Sequence, residues 1–347
     1  VVEEAEIQLI GKFNLFFDML DFHPWGELGW IVNKFSDVSS WDLVGCISSE
    51  DRSTAALQDL KRLGRLHRQK YVEIIDPESE HTTLIKQKVE VIRTEYRDLV
   101  GPPQYHVIQE NLLAASDRIV RLVNDFFASC SGSLVLDVST FPKRFFYPFI
   151  KLAFNSVNIQ NLLIVYSTPN DYPKQELSDD PEPWDHLPLF GPVSFPDATP
   201  KHAIVGVGFI PFSLSKLLKD KYSSIPITFL FPFPPGPPLY QRSWEFLRII
   251  EKTYNLKPDD RIIRVNSIDV SDTFNHIKSI TNNGADSVIF APYGPKPISI
   301  AMAIYSVLSE SPVYYTQPKK YHPDYSIGRG KIYAFAIKKD GEALYCI

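Results

Sequence analysis

Leu134-Val-Leu-Asp-Val-Ser-Thr-Phe-Pro-Lys-Arg-Phe-Phe-Tyr-Pro-Phe-Ile-Lys-Leu-Ala-Phe154 and Ser287-Val-Ile-Phe-Ala-Pro-Tyr-Gly-Pro-Lys-Pro-Ile-Ser-Ile-Ala-Met-Ala-Ile-Tyr-Ser-Val307 share one pattern at an offset of 153 residues. Each runs from an apolar stretch through a short turn with Pro-Lys into an amphipathic segment. Pro142-Lys143 falls on Pro295-Lys296. Downstream, Tyr166-Ser-Thr-Pro169-Asn-Asp-Tyr172 matches Tyr315-Thr-Gln-Pro318-Lys-Lys-Tyr321, both reading Tyr-[Ser/Thr]-x-Pro-x-x-Tyr. Recurrence in matching order is the mark of an internal repeat.

Working outward, Leu15–Leu20 pairs with Ala203–Gly208, Trp41–Ser48 with Ile225–Pro232, and Tyr71–Asp76 with Arg261–Asn266. Short apolar runs alternating with helical patterns of ten or more residues signify parallel β/α units. They lack period-two alternation, as strands covered by helices on both faces do. The expected fold is α/β, a tandem duplication of two Rossmann-like or flavodoxin-like doubly wound parallel-sheet domains. Residues 1–172 form the first, 173–200 a proline-rich connection, and 201–347 the second. Strands are expected near 14–20, 42–48, 71–76, 133–138 and 160–166, with a long helix over 107–130. The second half has strands near 202–208, 226–231, 260–265, 286–291, 312–316 and 331–338. Trp184, Leu187, Leu189 and Phe190 make the connection too apolar for a free tether. The block Phe231-Pro-Phe-Pro-Pro-Gly-Pro-Pro238 reads as an ordered loop after a strand.

Composition sets the class. The 347 residues are 44% hydrophobic and 13% aromatic, enough to bury a large core rather than remain disordered. The most apolar run, Ile225–Leu239, is broken by prolines, so no membrane span is expected. The acidic start, Val1-Val2-Glu3-Glu4-Ala5-Glu6, lacks the basic region of a signal peptide. Cys46, Cys130 and Cys346 are odd in number and irregularly spaced, which argues against disulfides and zinc, so no metal is expected. Together these predict a cytoplasmic protein. A net charge of −5 gives no general attraction to nucleic acid. The basic cluster Lys61-Arg62-Leu63-Gly64-Arg65-Leu66-His67-Arg68-Gln69-Lys70 reads as a solvated helix face.

Ligands of open α/β sheets bind beyond the carboxyl ends of the strands, and the repeated Pro-Lys turn lies at such a place in both halves. Ser139 or Thr140 is expected to cap the first helix, with Pro142 in its first turn. Lys143, Arg144 and Lys296 then sit where the helix dipole disfavours cations, by about 0.3–1 kcal/mol each. An anion at exposed helix amides would select them. Tyr293 and Gly294 complete the second turn, the glycine allowing close approach to the backbone. Arg52 and Arg242 follow the second predicted strands and form a weaker cationic pair. Asp137 and Glu50 are the candidate catalytic acids. Walker A, Gly-x-Ser-x-Gly and His-Glu-x-x-His motifs do not occur, and Gly206-Val-Gly208-Phe209 lacks the third glycine of a dinucleotide fingerprint. The scattered histidines, including His23 and His322 beside prolines, read as turn or surface residues.

A strand ending in a small polar stretch with a lysine and leading at once into an amphipathic helix resembles the CARF-type nucleotide-sensing Rossmann-like domains of prokaryotic antiviral systems. The likeness covers about 20 residues in each half. Where that family has a Thr-Gly-Gly-Thr-Lys-like turn, this chain has Ser139-Thr-Phe-Pro-Lys143 and Tyr293-Gly-Pro-Lys296. The resemblance implies a cleft for a phosphate-bearing nucleotide between two related domains, with any effector a separate protein partner. The leading expectation is a non-enzymatic sensor or regulatory subunit of a defence system. The alternatives are an interaction subunit of a multi-protein complex and a nucleotide-processing enzyme using Asp137 or Glu50.

Overall fold

The computed structural model describes residues 23–102, 105–192, 200–234 and 239–347. The strand expected near 14–20 and the end of the proline block, 235–238, lie outside them. The described chain opens with β1 (Trp25–Glu27) and α1 (Leu28–Lys34). An alternating series follows: β2 (Trp41–Ile47), α2 (Ala55–Arg62), β3 (Leu66–Ile75), α3 (Thr82–Val100), β4 (Val107–Asn111), α4 (Ser116–Phe127), β5 (Ser133–Asp137), α5 (Lys143–Asn155) and β6 (Asn161–Ser167). Two short strands, β7 (Ser178–Pro181) and β8 (Asp185–His186), lie in the connection. A second series comprises β9 (His202–Gly206), α6 (Leu214–Lys221), β10 (Ile227–Phe233), α7 (Leu239–Thr253), β11 (Arg261–Asn266), α8 (Val270–Ile280), β12 (Val288–Pro292) and α9 (Lys296–Ser309). The chain finishes through β13 (Tyr314–Tyr315), β14 (Pro318–Tyr321), β15 (Ile332–Lys339) and β16 (Glu342–Ala343).

The first sheet has the order β1-β15-β6-β5-β2-β3-β4, with β16 beside β15, and the second β11-β10-β9-β12. Pairings among β2–β6 and among β9–β12 are parallel. In each series the first four strands stand in the order third, second, first, fourth, which is Rossmann-like. The point where the order reverses lies between β2 and β5 in one sheet and between β9 and β12 in the other. There α5 and α9 begin.

Apolar faces stack the molecule in layers. One face of the first sheet packs Leu43, Tyr71, Val135 and Leu163 against Ile31, Leu57 and Tyr96 of α1–α3. Its other face shares a continuous core with the inner face of the second sheet, through α4, α5, α8 and α9. The outer face of the second sheet carries Val205, Phe229 and Ala291 against Leu217 of α6 and Phe246 of α7. Helix α9 is buried from Pro297 to Ser306. That all-round burial explains Pro297-Ile-Ser-Ile-Ala-Met-Ala-Ile-Tyr-Ser306, which has no polar face to give to solvent.

Several expectations change. The long helix over 107–130 is β4 followed by α4. Val107 and Ile108 are better strand than helix formers, and the edge of β3 is free to pair Tyr71–Ile75 with Val107–Asn111. Because β4 was missed, the strand equivalence slips by one. By position in the sheets β2, β3 and β4 correspond to β9, β10 and β11, so Arg52 has no counterpart in Arg242; only β5-α5 against β12-α9 keeps the sequence match. The basic cluster is not one helix face. Gly64, at φ 64°, ends α2, and Leu66–Lys70 lie in β3.

The strand near 331–338 lies in the first sheet, as β15, antiparallel to β6. Phe335 and Ile337 enter the inner core while Ala334 and Ala336 face α1–α3, so this strand needs a sheet covered on both sides. The edge of β12 is taken by Val313, whereas β6 leaves its edge open. The connection is pinned by β7 on β14 and β8 on β13, with Leu187 and Phe190 buried. No described helix is long and apolar enough to cross a membrane.

Candidate ligand cleft between the sheets

The turn between β5 and α5 is held from below. Asp137 Oδ1 accepts from the Ser139 amide at 2.9 Å and from its hydroxyl, and Ser139 Oγ accepts from the Ser167 amide at 2.7 Å. Thr140 Oγ1 donates to the Cys46 carbonyl at 2.7 Å. Neither hydroxyl caps the helix, contrary to expectation. Both tie the turn to the ends of β6 and β2, and Pro142, in extended geometry, is the N-cap. In the second half Pro295 is the N-cap in the same way. Lys143 and Lys296 are therefore the first residues of their helices.

The two lysines cross. Lys143 Nζ donates to the Gly294 carbonyl at 3.1 Å, and Lys296 Nζ donates to the Phe141 carbonyl. Each acceptor lies two positions before the other lysine, so the contact is reciprocal. Lys143 also lies over the Tyr315 ring at 5.3 Å and Lys296 over Phe146 at 5.3 Å. Among the described residues neither ammonium forms a direct ion pair with a carboxylate, although the charges of Glu50 and Asp137 act on Lys296 from farther off. Burial lowers Lys143 to about 8. Burial, then repulsion from Arg52 and Lys143, lowers Lys296 to about 7 against the attraction of Glu50.

Two neighbouring chambers open beside this crossing, of about 370 and about 140 Å³, and share part of their lining. The larger is walled by Tyr166, Tyr172, Phe209, Phe212, Tyr293 and Tyr333. The smaller is lined by Cys46, Ser48, Ser49, Asp76, Thr140 and His322. Arg52, Lys143, Lys296, Tyr315 and Tyr325 line both.

Arg52 is 1% exposed and largely committed to the fold: Nε and Nη2 donate to Glu50 Oε2 at 3.0 and 2.7 Å, and Nη1 to the Ser167 carbonyl at 2.9 Å. Glu50 also accepts from the Ser326 hydroxyl. Removing one partner of such a pair strands the other charge. Glu50→Ala is expected to lower stability by about 3–5 kcal/mol, read by denaturant unfolding.

The remaining candidates divide. Tyr293 meets Thr316 Oγ1 through its hydroxyl at 2.5 Å. Gly294 lies against Gly206 at the end of β9 and Val207 just beyond it, so its missing side chain serves backbone packing. Arg144 points away, donating to the Ala114 carbonyl at 2.8 Å. Arg242 holds the carbonyls of Pro173 and Gln175 and lies over Phe209 at 5.2 Å, behind the wall of the larger chamber. Asp137 is buried beneath the turn and lines neither chamber; burial lifts its carboxyl to about 6 against the hydrogen bonds from Ser139.

Asp76 was missed. It stands just beyond β3, at the carboxyl end of a strand, and that position was the available signal. Phe209 arrives from the loop after β9 and Tyr325 from the loop between β14 and β15, and no sequence pattern brings the two together. Among the described residues no group of three or more His, Cys, Asp or Glu side chains could hold a metal ion.

No protein-family model matches the chain, and no curated protein matches it. Among solved structures it is similar to the cytoplasmic domain of a prokaryotic cation chloride cotransporter, at 12% identity over 81% of this chain and 96% of that one. The TM-score is 0.22, and at that level the likeness carries no argument.

Proposed function

We propose that the protein is a sensor or regulatory module that binds a phosphate-bearing, nucleotide-type ligand in the cleft between its two sheets. The reading rests on the reciprocal crossing of Lys143 and Lys296 at two helix N-termini, beside a chamber walled by aromatic rings. Two part-buried ammonium groups with no direct ion pair to a carboxylate are poorly compensated, and an anion would supply what the fold withholds. The helix dipoles favour the same charge. The tyrosine and phenylalanine walls suit a flat base, and the larger chamber is within the size range of small-molecule sites.

Thermal unfolding against mononucleotides, dinucleotides, cyclic oligonucleotides and inorganic phosphate tests this. One class is expected to stabilise the protein by about 2.7 kcal/mol at 100 times its Kd. Lys143→Gln with Lys296→Gln is expected to abolish the shift while the protein still folds. Wild-type affinity in that double variant, or no response to any of the panel, overturns the reading.

The lysines also set a pH dependence. With Lys143 at about 8 and Lys296 at about 7, both are largely charged at pH 6 and largely neutral at pH 9 in the free protein. A bound anion favours the charged forms. Affinity is therefore expected to fall at least tenfold from pH 7 to pH 9. Calorimetry at pH 8 in buffers of different ionisation enthalpy should register proton uptake on binding.

A further inference from the structure

The cleft has two unequal chambers, and the lysine crossing lies on the boundary between them. Lys143, Lys296 and Arg52 line both sides. A phosphate held there has room in two directions. On one side are the aromatic walls of the larger chamber. On the other, the smaller chamber presents hydroxyls of Ser48, Ser49 and Thr140, the imidazole of His322 and the carboxyl of Asp76.

Asp76 is the informative residue. It is part-buried beside the Cys46 thiol and the Tyr321 phenol, whose ionisation its charge disfavours. Among the described residues no group donates a hydrogen bond to its carboxyl. Burial alone lifts that carboxyl to about 7. A terminal phosphate pushed into this chamber would set its dianionic oxygens against Asp76 and Glu50. A hydroxyl-bearing group would instead donate to Asp76 and meet the neighbouring hydroxyls.

We infer that the ligand is a nucleotide whose phosphate is esterified on its far side to a sugar, with the base in the larger chamber, the phosphate at the lysine crossing and the sugar hydroxyls on Asp76. This rests on the phosphate reading above and adds the second substituent. A simple mononucleotide fills only one side of the crossing and leaves Asp76 without a partner.

Calorimetric titration at pH 7 with matched pairs tests it: ADP against ADP-ribose, and GDP against GDP-mannose. The sugar-esterified member of at least one pair is expected to bind at least tenfold more tightly than its sugar-free diphosphate. Asp76→Ala should cut that advantage to less than threefold, with Asp76→Asn intermediate. Equal affinities within both pairs, or an advantage that survives Asp76→Ala, overturns the inference while leaving the phosphate site standing. No binding by any of the four also overturns the inference alone, whereas ADP or GDP binding that is insensitive to Lys143→Gln and Lys296→Gln overturns both.

Discussion

Lys143→Met with Lys296→Met is expected to yield a protein more stable than the wild type and blind to phosphate. In the folded chain both lysines hold protons less tightly than in the unfolded one, where the ordinary value is 10.5; they fall to about 8 and about 7. Between these values and 10.5 the unfolded chain binds more protons, so wild-type stability rises with pH through that window. Each tenfold change in proton affinity corresponds to about 1.4 kcal/mol. Methionine keeps the bulk of each stem and removes the charge, at the cost of the hydrogen bonds to Gly294 and Phe141, each worth about 1 kcal/mol. The double variant should therefore gain up to about 6 kcal/mol at pH 6. The gain should vanish near pH 10.5, where the wild-type lysines are neutral in the folded state. Denaturant unfolding at several pH values measures this. A double variant less stable than wild type at pH 6 would mean that the ammonium groups are already compensated, and the anion argument would lose its basis. Stability given up for an unpaired charge is what a binding site carries.

Gly208→Ala should have the opposite effect on stability, and a large one. A Cβ at position 208 would lie 1.9 Å from the Tyr293 carbonyl oxygen, and one at Gly206 would lie 3.1 Å from the Gly294 amide nitrogen. The loops after β9 and β12 thus cross backbone against backbone. Peptide atoms cannot turn aside as a side-chain tip can. The loops must separate, at a cost of about 3 kcal/mol or more. Separation also displaces the Gly294 carbonyl that receives Lys143, so ligand affinity should drop at least tenfold in whatever fraction remains folded. Gly64→Asn is the control: Gly64 also has a special conformation, at φ 64°, but nothing lies within 4 Å of its Cβ position. That change should cost less than about 1 kcal/mol, because asparagine tolerates the left-handed region. Equal losses at the two positions would remove the loop-crossing explanation.

The same Gly206-Val-Gly208 stretch shows where reading the chain stops. As sequence it is an incomplete dinucleotide fingerprint. In the fold its glycines make room for another loop of the protein, a partner 85 positions away at Tyr293. The Pro-Lys turns were legible because the repeat placed them twice at the end of an apolar run. Their purpose could not be read, since the Lys143 acceptor is Gly294 and the Lys296 acceptor is Phe141, each on the other turn. Hydroxyl caps at Ser139 and Thr140 were reasonable from local chemistry, but strands β6 and β2 offered them better-placed partners.

Local pattern alone determined the α/β class, most strand positions and the two lysines at helix starts. Those depend on residue type within a few positions and on covered parallel strands being apolar on both faces. Tertiary structure decided the rest. Val107–Asn111 became a strand because β3 had an open edge, and Ile332–Lys339 joined the first sheet because β6 had one. Asp76, Phe209 and Tyr325 share a cleft with the lysines only because the two sheets enclose one helical layer. Short-range preferences are set by each residue's own backbone and neighbours. A cleft is set by which distant surfaces bury one another, and no single stretch of chain encodes that choice.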